Sequence, residues 1–249
     1  MNSLLQEGLS SYWAAPEITI NVIIFLNLLG ALALGLVVGY ERTYHGRAAG
    51  MRTYGLVCMA SAALTVLAGY PTFWYGGQIG SFVGADPTRI IQGIVTGIGF
   101  LGAGVIMREG MNISGLTTAA SLWASSAIGI MVGVGFYPAA ILLALLSAVS
   151  MMWVSRLENW LPSRPAVAVI IQFKKGFNPD ETRLNESVKK YGYQMAGGSI
   201  SISMKEGMIE WKFVAIAMDK DKGASMTVMS KVLTESDGVE NFFLSPARN

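Results

Sequence analysis

No lysine occurs in the first 162 residues; every lysine of the chain falls in the last 87. The chain holds one cysteine, Cys58, and one histidine, His45. A single cysteine excludes an internal disulfide. One cysteine with one histidine excludes a cysteine/histidine zinc site. Cys58 lies inside an apolar run and reads as a small packing residue. Only 14% of the 249 residues are charged, against about a quarter in soluble domains. Residues 1–17 contain neither Lys nor Arg. The basic leader of a cleavable signal peptide is therefore missing, and the first apolar segment is expected to persist as a helix. No basic stripe interleaved with aromatics appears, so nucleic acid is not an expected partner.

What is present is apolar: 52% of the residues are hydrophobic and mean hydropathy is +0.47. Residues 1–162 carry 6 Arg and 6 Asp+Glu, and residues 163–249 carry 12 Lys+Arg and 10 Asp+Glu. The pI of about 8.6 thus comes from a mildly basic tail. A membrane helix needs about 20 mainly apolar residues. Stretches 18–40, 54–70, 90–107, 116–134 and 138–154 come close, the second and fifth extended by interfacial aromatics such as Trp74 and Trp153. Arg42, Arg47, Arg52, Arg108, Arg156 and Arg164 fall on one side of this alternation and only Arg89 on the other. Positive charge marks the cytoplasmic side, so the N-terminus is expected outside and the C-terminus in the cytoplasm.

After 161–165, a helix-ending linker with two prolines, the pattern changes. Residues 166–173 are β-rich, and 180–191 read as an amphipathic helix opened by Asn178-Pro179. Stretches 193–204 and 208–218 alternate around Glu206-Gly207, a hairpin signal. A second helix over 223–235 and a strand over 239–244 complete a βαββαβ order, the ferredoxin-like plan. The expected fold is a membrane all-α bundle of five helices over 1–160, followed by a small cytoplasmic α+β domain over 161–249.

Small residues recur in the apolar stretches. Gly35 and Gly39, Gly93 and Gly97, and Gly129 and Gly133 each form a GxxxG, and Gly102 follows on the third stretch. Such faces let helix backbones approach, either within one bundle or between subunits. Gly97-Ile98-Gly99-Phe100-Leu101-Gly102 matches GxGxxG, but it lies within an apolar helix and lacks the strand that dinucleotide binding requires.

Polar groups at membrane depth are costly and tend to be functional. Glu41 follows directly on an apolar run, with Arg42 beside it. They belong either to a helix end facing the inner leaflet or to an inward ion-pair network in which Glu41 bonds Arg52. Asp86 is placed to cap a helix with Pro87 at its first position, and Arg89 is placed to pair with Asp86. Arg108 and Gly110 suit a helix C-terminus, with Glu109 between them and Asn112 in the turn that follows. Thr117 and Thr118 open the fourth helix. With Ser121, Trp123, Ser125 and Ser126 they make a polar stripe that should face protein or water. Each membrane carboxylate, Glu41, Asp86 and Glu109, has an arginine neighbour that opposes a cation, so no metal site is expected. No nucleophile–base pair or phosphate loop emerges, so neither an enzyme nor a cofactor is expected.

Gly39-Tyr40-Glu41-Arg42, Ala49-Gly50-Met51-Arg52-Thr53, Arg89 through Gly104-Val105-Ile106, and Gly115-Leu116-Thr117-Thr118-Ala119-Ala120-Ser121-Leu122-Trp123 closely resemble the MgtC/SapB family over about residues 28–137. The resemblance implies a multi-pass bacterial inner-membrane protein associated with adaptation to low magnesium and with survival in macrophages, that is, virulence. Virulence-type members are similar to this chain in carrying a C-terminal ACT-like domain. ACT domains bind small ligands or pair with one another. Here only Lys174-Lys175-Gly176-Phe177-Asn178 suggests a ligand loop, so a homodimer or larger homo-oligomer is the expectation. The resemblance implies modulation of membrane partners such as the F-type ATP synthase or a P-type ATPase. The alternative is a transporter or channel for Mg²⁺ or another ion.

Overall fold

The computed structural model describes residues 12–77, 86–109, 112–160, 164–219 and 223–247. Five of its helices are long and apolar enough to cross a membrane. α1 spans Ala15–Tyr44, with a proline at its start; α2 spans Met51–Gly69, followed by a 3₁₀ segment, Pro71–Gly77. α3 spans Pro87–Val105, α4 Leu116–Val134 and α5 Tyr137–Trp160. The fourth span falls where the apolar pattern predicts it. α1 runs four residues beyond the predicted end at 40 and so takes Glu41 and Arg42 into its last turn. Chain reversal between α1 and α2 uses left-handed backbone at Gly46 (φ 61) and Ala49 (φ 58).

The first unit packs through glycine. A Cβ at Gly35 would stand 2.8 Å from the α carbon of Gly55, and one at Gly39 would stand 2.7 Å from that of Met51. One at Gly133 would stand 2.6 Å from Thr65 Cβ, and one at Gly129 would run into the carbonyl of Cys58. α2 is thus held on one side by the glycines of α1 and on the other by those of α4. Close approach of backbones gains dispersion contacts that lipid tails cannot match. Ala31, Val38, Tyr54, Cys58, Ala62 and Ile128 are fully buried in this core. The face of Ile94, Ile98 and Gly102, spaced every four residues, buries α3.

The end of α3 differs from the sequence expectation. The helix stops at Val105 rather than continuing to 107, and Ile106 is extended (ψ 117). Met107–Glu109 (β1) and Asn112–Ser114 (β2) then form a two-stranded ribbon. Arg108 is therefore a strand residue, not a charge on a helix C-terminus. The capping expected of Gly110 lies outside the described residues. The ribbon closes on Gly115, whose φ of +88 and contact with the Val105 carbonyl leave no room for a side chain.

The second unit runs β3 (Ala166–Phe173), α6 (Glu181–Lys190), β4 (Tyr193–Met195), β5 (Ser201–Lys205), β6 (Met208–Ala217), α7 (Met226–Glu235) and β7 (Val239–Pro246). The strand order is β4-β6-β3-β7, with β5 also on β6, and β6 pairs antiparallel with β3, β4 and β5, as does β3 with β7. Alternate residues, Val167, Val169, Ile171 and Phe173 of β3 and Trp211, Phe213, Ala215 and Ala217 of β6, point into one core. Asp180 caps α6 by accepting from the Thr182 amide at 2.8 Å, and Ser225 caps α7. The predicted hairpin turn is present: Glu206 (φ 52) and Gly207 (φ 78) both take the left-handed backbone of a type I′ turn. The strand predicted over 193–204 is split. Residues 196–200 leave the ladder around Gly197-Gly198, yet Ser199 Oγ still accepts the Val214 amide.

Candidate functional site

Glu41 and Arg42 are each only 7% exposed. Arg42 Nε lies 2.8 Å from Glu41 Oε2, and His45 Nδ1 lies 3.1 Å from Oε1. Of the two readings of Glu41, the inward pair with Arg52 is not formed: Arg52 is exposed in the first turn of α2. The reason is the extra helical turn, which keeps Glu41 on α1 with its sequence neighbour as counter-ion. Adjacent helix positions do not face each other. Accordingly, among the described residues neither Nε nor Oε2 has an aligned hydrogen bond, although both are buried.

Thr43, next in sequence, carries a role the sequence reading missed. Its Oγ1 accepts the amide of Met51 at 2.9 Å and so caps α2 from the end of α1. A threonine in a last helical turn gives no sequence signal of this. Asn27 is also unforeseen: it is 5% exposed and its Oδ1 accepts from the Tyr137 hydroxyl at 2.7 Å. Here a signal existed, because Asn27 is a lone amide in the middle of an apolar run.

Asp86 does cap α3, its Oδ1 accepting from the Thr88 amide at 2.9 Å and the Thr88 hydroxyl at 2.6 Å. It does not pair with Arg89. Among the described residues no ion pair joins them, because Oδ1 is turned onto the helix end. Arg89 is exposed.

The stripe on α4 faces protein, as expected of polar groups at this depth. Ser121 Oγ bonds the Tyr54 hydroxyl, Ser125 Oγ donates to the Tyr54 carbonyl at 2.9 Å, and Ser126 Oγ meets Ser61 Oγ at 2.8 Å. Thr118 is buried, but Thr117 and Trp123 are exposed and stand off the stripe. Tyr54 and Ser61 are the α2 partners that the sequence reading did not name. Arg108 is exposed on the ribbon, and the side chains of Glu109 and Asn112 lie outside the described residues. Among the described residues the polar groups make local contacts: Glu41 with Arg42 and His45, Asp86 with Thr88, and the α4 hydroxyls with α2. Among the described residues no three His, Cys, Asp or Glu side chains group as metal ligands would.

The glycines divide sharply. Gly35, Gly39, Gly129 and Gly133 are enclosed, and Gly102 has Ala119 Cβ 3.6 Å from its own Cβ position. Among the described residues nothing lies within 4 Å of the Cβ positions of Gly93 and Gly97. Around them, at helical spacing, lie Arg89, Gln92, Thr96 and Phe100, all exposed, Phe100 by 81%. The Thr96 hydroxyl is spent on the Gln92 carbonyl at 2.8 Å. One face of α3 is thus small, partly polar and left uncovered by the described residues, along a helix long enough to cross a membrane.

The sequence of the bundle has relatives. Protein MgtC of Salmonella typhimurium (strain LT2) is 49% identical over 110 residues, which are 44% of this chain and 43% of the relative. Protein MgtC of Brucella abortus (strain 2308) is 44% identical over 110 residues, 43% of this chain and 41% of the relative. The matched segment thus spans less than half the length of these curated relatives. No solved structure matches the chain. The MgtC family model matches residues 28–160, which take in α2 to α5 and most of α1. With more than half of its length covered by that model, the chain belongs to the MgtC family.

Proposed function

We propose that this membrane protein is a non-enzymatic regulator that acts by docking its helices on another membrane protein. The observation that carries the reading is the uncovered face of α3. Gln92 and two glycines stand open among the described residues, where a bilayer offers the Gln92 side-chain amide no hydrogen-bond partner, and such a face belongs against protein or water. The other two GxxxG pairs on the described helices, Gly35/Gly39 and Gly129/Gly133, are already occupied from within. The partner would be a multi-subunit or P-type ion pump, such as the F-type ATP synthase or a magnesium-transporting ATPase. The setting would be adaptation to low magnesium and survival inside host cells, in keeping with relatives named Protein MgtC. The arginine distribution supports an inner-membrane location with the second unit, an ACT-like domain, in the cytoplasm. A homodimer would suit such a domain.

The test is photo-crosslinking from Thr96 in native membranes, with Ser126 as the enclosed control. A pump subunit captured from Thr96 and not from Ser126 is the expected result. Capture of lipid alone, together with an unchanged low-magnesium phenotype for Gly97→Leu, would sink the reading. Ion transport is the competing activity. It predicts flux by the purified protein in vesicles, and it gains little from α4, whose serine hydroxyls are spent on α2.

A further inference from the structure

From Ala166 to Pro246 six large apolar side chains are exposed among the described residues; Ile202 and Met204 share one edge strand, and the loop that carries a third, Phe177, borders them while the Phe177 ring stacks on Phe173. Phe177 (40% exposed) is in the loop after β3, and Ile202 (59%) and Met204 (70%) are on β5. Ile202 pairs with Trp211 and Met204 with Ile209, so both project from the core-side face of the sheet. Asn178 and Pro179, just after Phe177, border the same shallow cleft as Ile202 and Met204. Lysines ring this patch. Lys174 and Lys175 are exposed in the Phe177 loop, and the Lys175 side chain reaches the β5–β6 turn, 3.7 Å from the Cβ position of Gly207. Lys205, at the end of β5, is 64% exposed and pairs with Glu210 Oε1 at 3.7 Å, so the uncompensated positive charge of the patch comes from Lys174 and Lys175. Glu206 is the one acid in that turn.

We infer that this end of the second unit rests on an anionic lipid surface. The chemistry is that of an interfacial anchor: apolar tips dip below the headgroups while ammonium groups meet phosphate oxygens. Cationic charge around protruding apolar groups fits an anionic bilayer better than a neutral protein surface. Covalent attachment keeps that partner at hand. Only residues 161–165 separate α5 from β3, a span of at most about 22 Å when extended. A bilayer crossed by the helices is therefore within the unit's reach. Each lysine near an anionic surface contributes roughly a fivefold factor in affinity, and salt weakens it.

The test uses the full chain with Cys58→Ala and Met204→Cys, labelled with an environment-sensitive fluorophore. It is placed in nanodiscs of phosphatidylcholine with or without phosphatidylglycerol. With phosphatidylglycerol the emission should shift to the blue and quenching by neutral acrylamide should fall several-fold. Both changes should be lost with Lys174→Glu/Lys175→Glu or at high salt. A label at Phe243→Cys, on the opposite face of the sheet, should stay accessible throughout. Equal quenching at Met204→Cys with and without phosphatidylglycerol would overturn the inference. So would shielding that persists in phosphatidylcholine and grows with the number of chains per disc, which would identify a second copy as the cover.

Discussion

Ser125 donates its hydroxyl to the backbone carbonyl of Tyr54 at 2.9 Å, joining α4 to the first turn of α2 across 71 positions of sequence. The Ser121 bond to the Tyr54 hydroxyl lies one turn away. One residue is thus clasped through both its main chain and its side chain, in the most enclosed part of the bundle. Ser125→Ala should lower the unfolding free energy of the bundle by about 1 kcal/mol, the size of one buried neutral bond. Thermal unfolding in detergent would read it. No change would mean that the contact adds nothing beyond packing.

The glycines should separate into two classes under one substitution. Gly129→Leu forces a side chain into the Cys58 carbonyl. It should destabilise by several kcal/mol or abolish the folded bundle. Gly93→Leu and Gly97→Leu meet open space. They should leave the melting temperature within about a degree while removing partner capture. Melting curves and crosslinking yields on the same samples test this directly.

Glu41 and Arg42 call for a comparison of single and double variants. Glu41→Gln or Arg42→Gln alone leaves one buried charge without its counter-ion, a loss of roughly 3–5 kcal/mol. The double variant removes both charges and should recover most of that loss. Equal loss in all three variants would show that the pair acts through hydrogen bonds to other groups.

Two carboxyl groups of the second unit set its acid limit. The Thr182 amide holds Asp180 below the ordinary aspartate value of 3.8. Burial raises Glu210, but Lys212, 3.1 Å away, and Lys205 outweigh it, so its carboxyl ends below the ordinary 4.5. Both are depressed in the fold. Their contribution is therefore complete above the unfolded values and is lost as pH falls through the lower, folded ones. The unit should melt at a constant temperature from neutral pH down to about pH 5, then progressively lower beneath about pH 4.5. Asp180→Asn with Glu210→Gln should flatten that drop. The fluorine resonance of fluorinated Trp211, followed through melts at several pH values, isolates this unit from the bundle.

Much of the fold was legible because apolar length is a strong signal. Five runs named the five helices, and the start and end of α4 are where hydropathy puts them. Asp86 and the Glu206-Gly207 turn were legible because capping and left-handed turns demand particular residues; the helix expected to open at Asn178-Pro179 is instead capped by Asp180. Pairings were not. Whether Glu41 reaches Arg52 or Arg42 depends on four further residues of helix, and apolar content does not report that. The GxxxG pairs looked alike in sequence, yet Gly35 and Gly129 are enclosed and Gly93 is open. The difference lies in which neighbour arrives, a property of the whole bundle. The split at 196–200 and the ribbon after Val105 were hidden because short strands carry little periodicity.

The tight closure at Gly115 bears on how the chain enters a membrane. Of the five spans α3 has the lowest mean hydropathy, 1.3, and alone it is a marginal candidate for release into lipid. The chain re-enters α4 at Gly115, too close to the Val105 carbonyl for any side chain, and Gly102 of α3 meets Ala119 of α4, 3.6 Å from its Cβ position. The two helices are therefore suited to leave the translocation channel together, as a preassembled hairpin. A bulky residue at 115 would then be felt first during biosynthesis, as inefficient insertion and rapid turnover, before any mature protein existed to be destabilised.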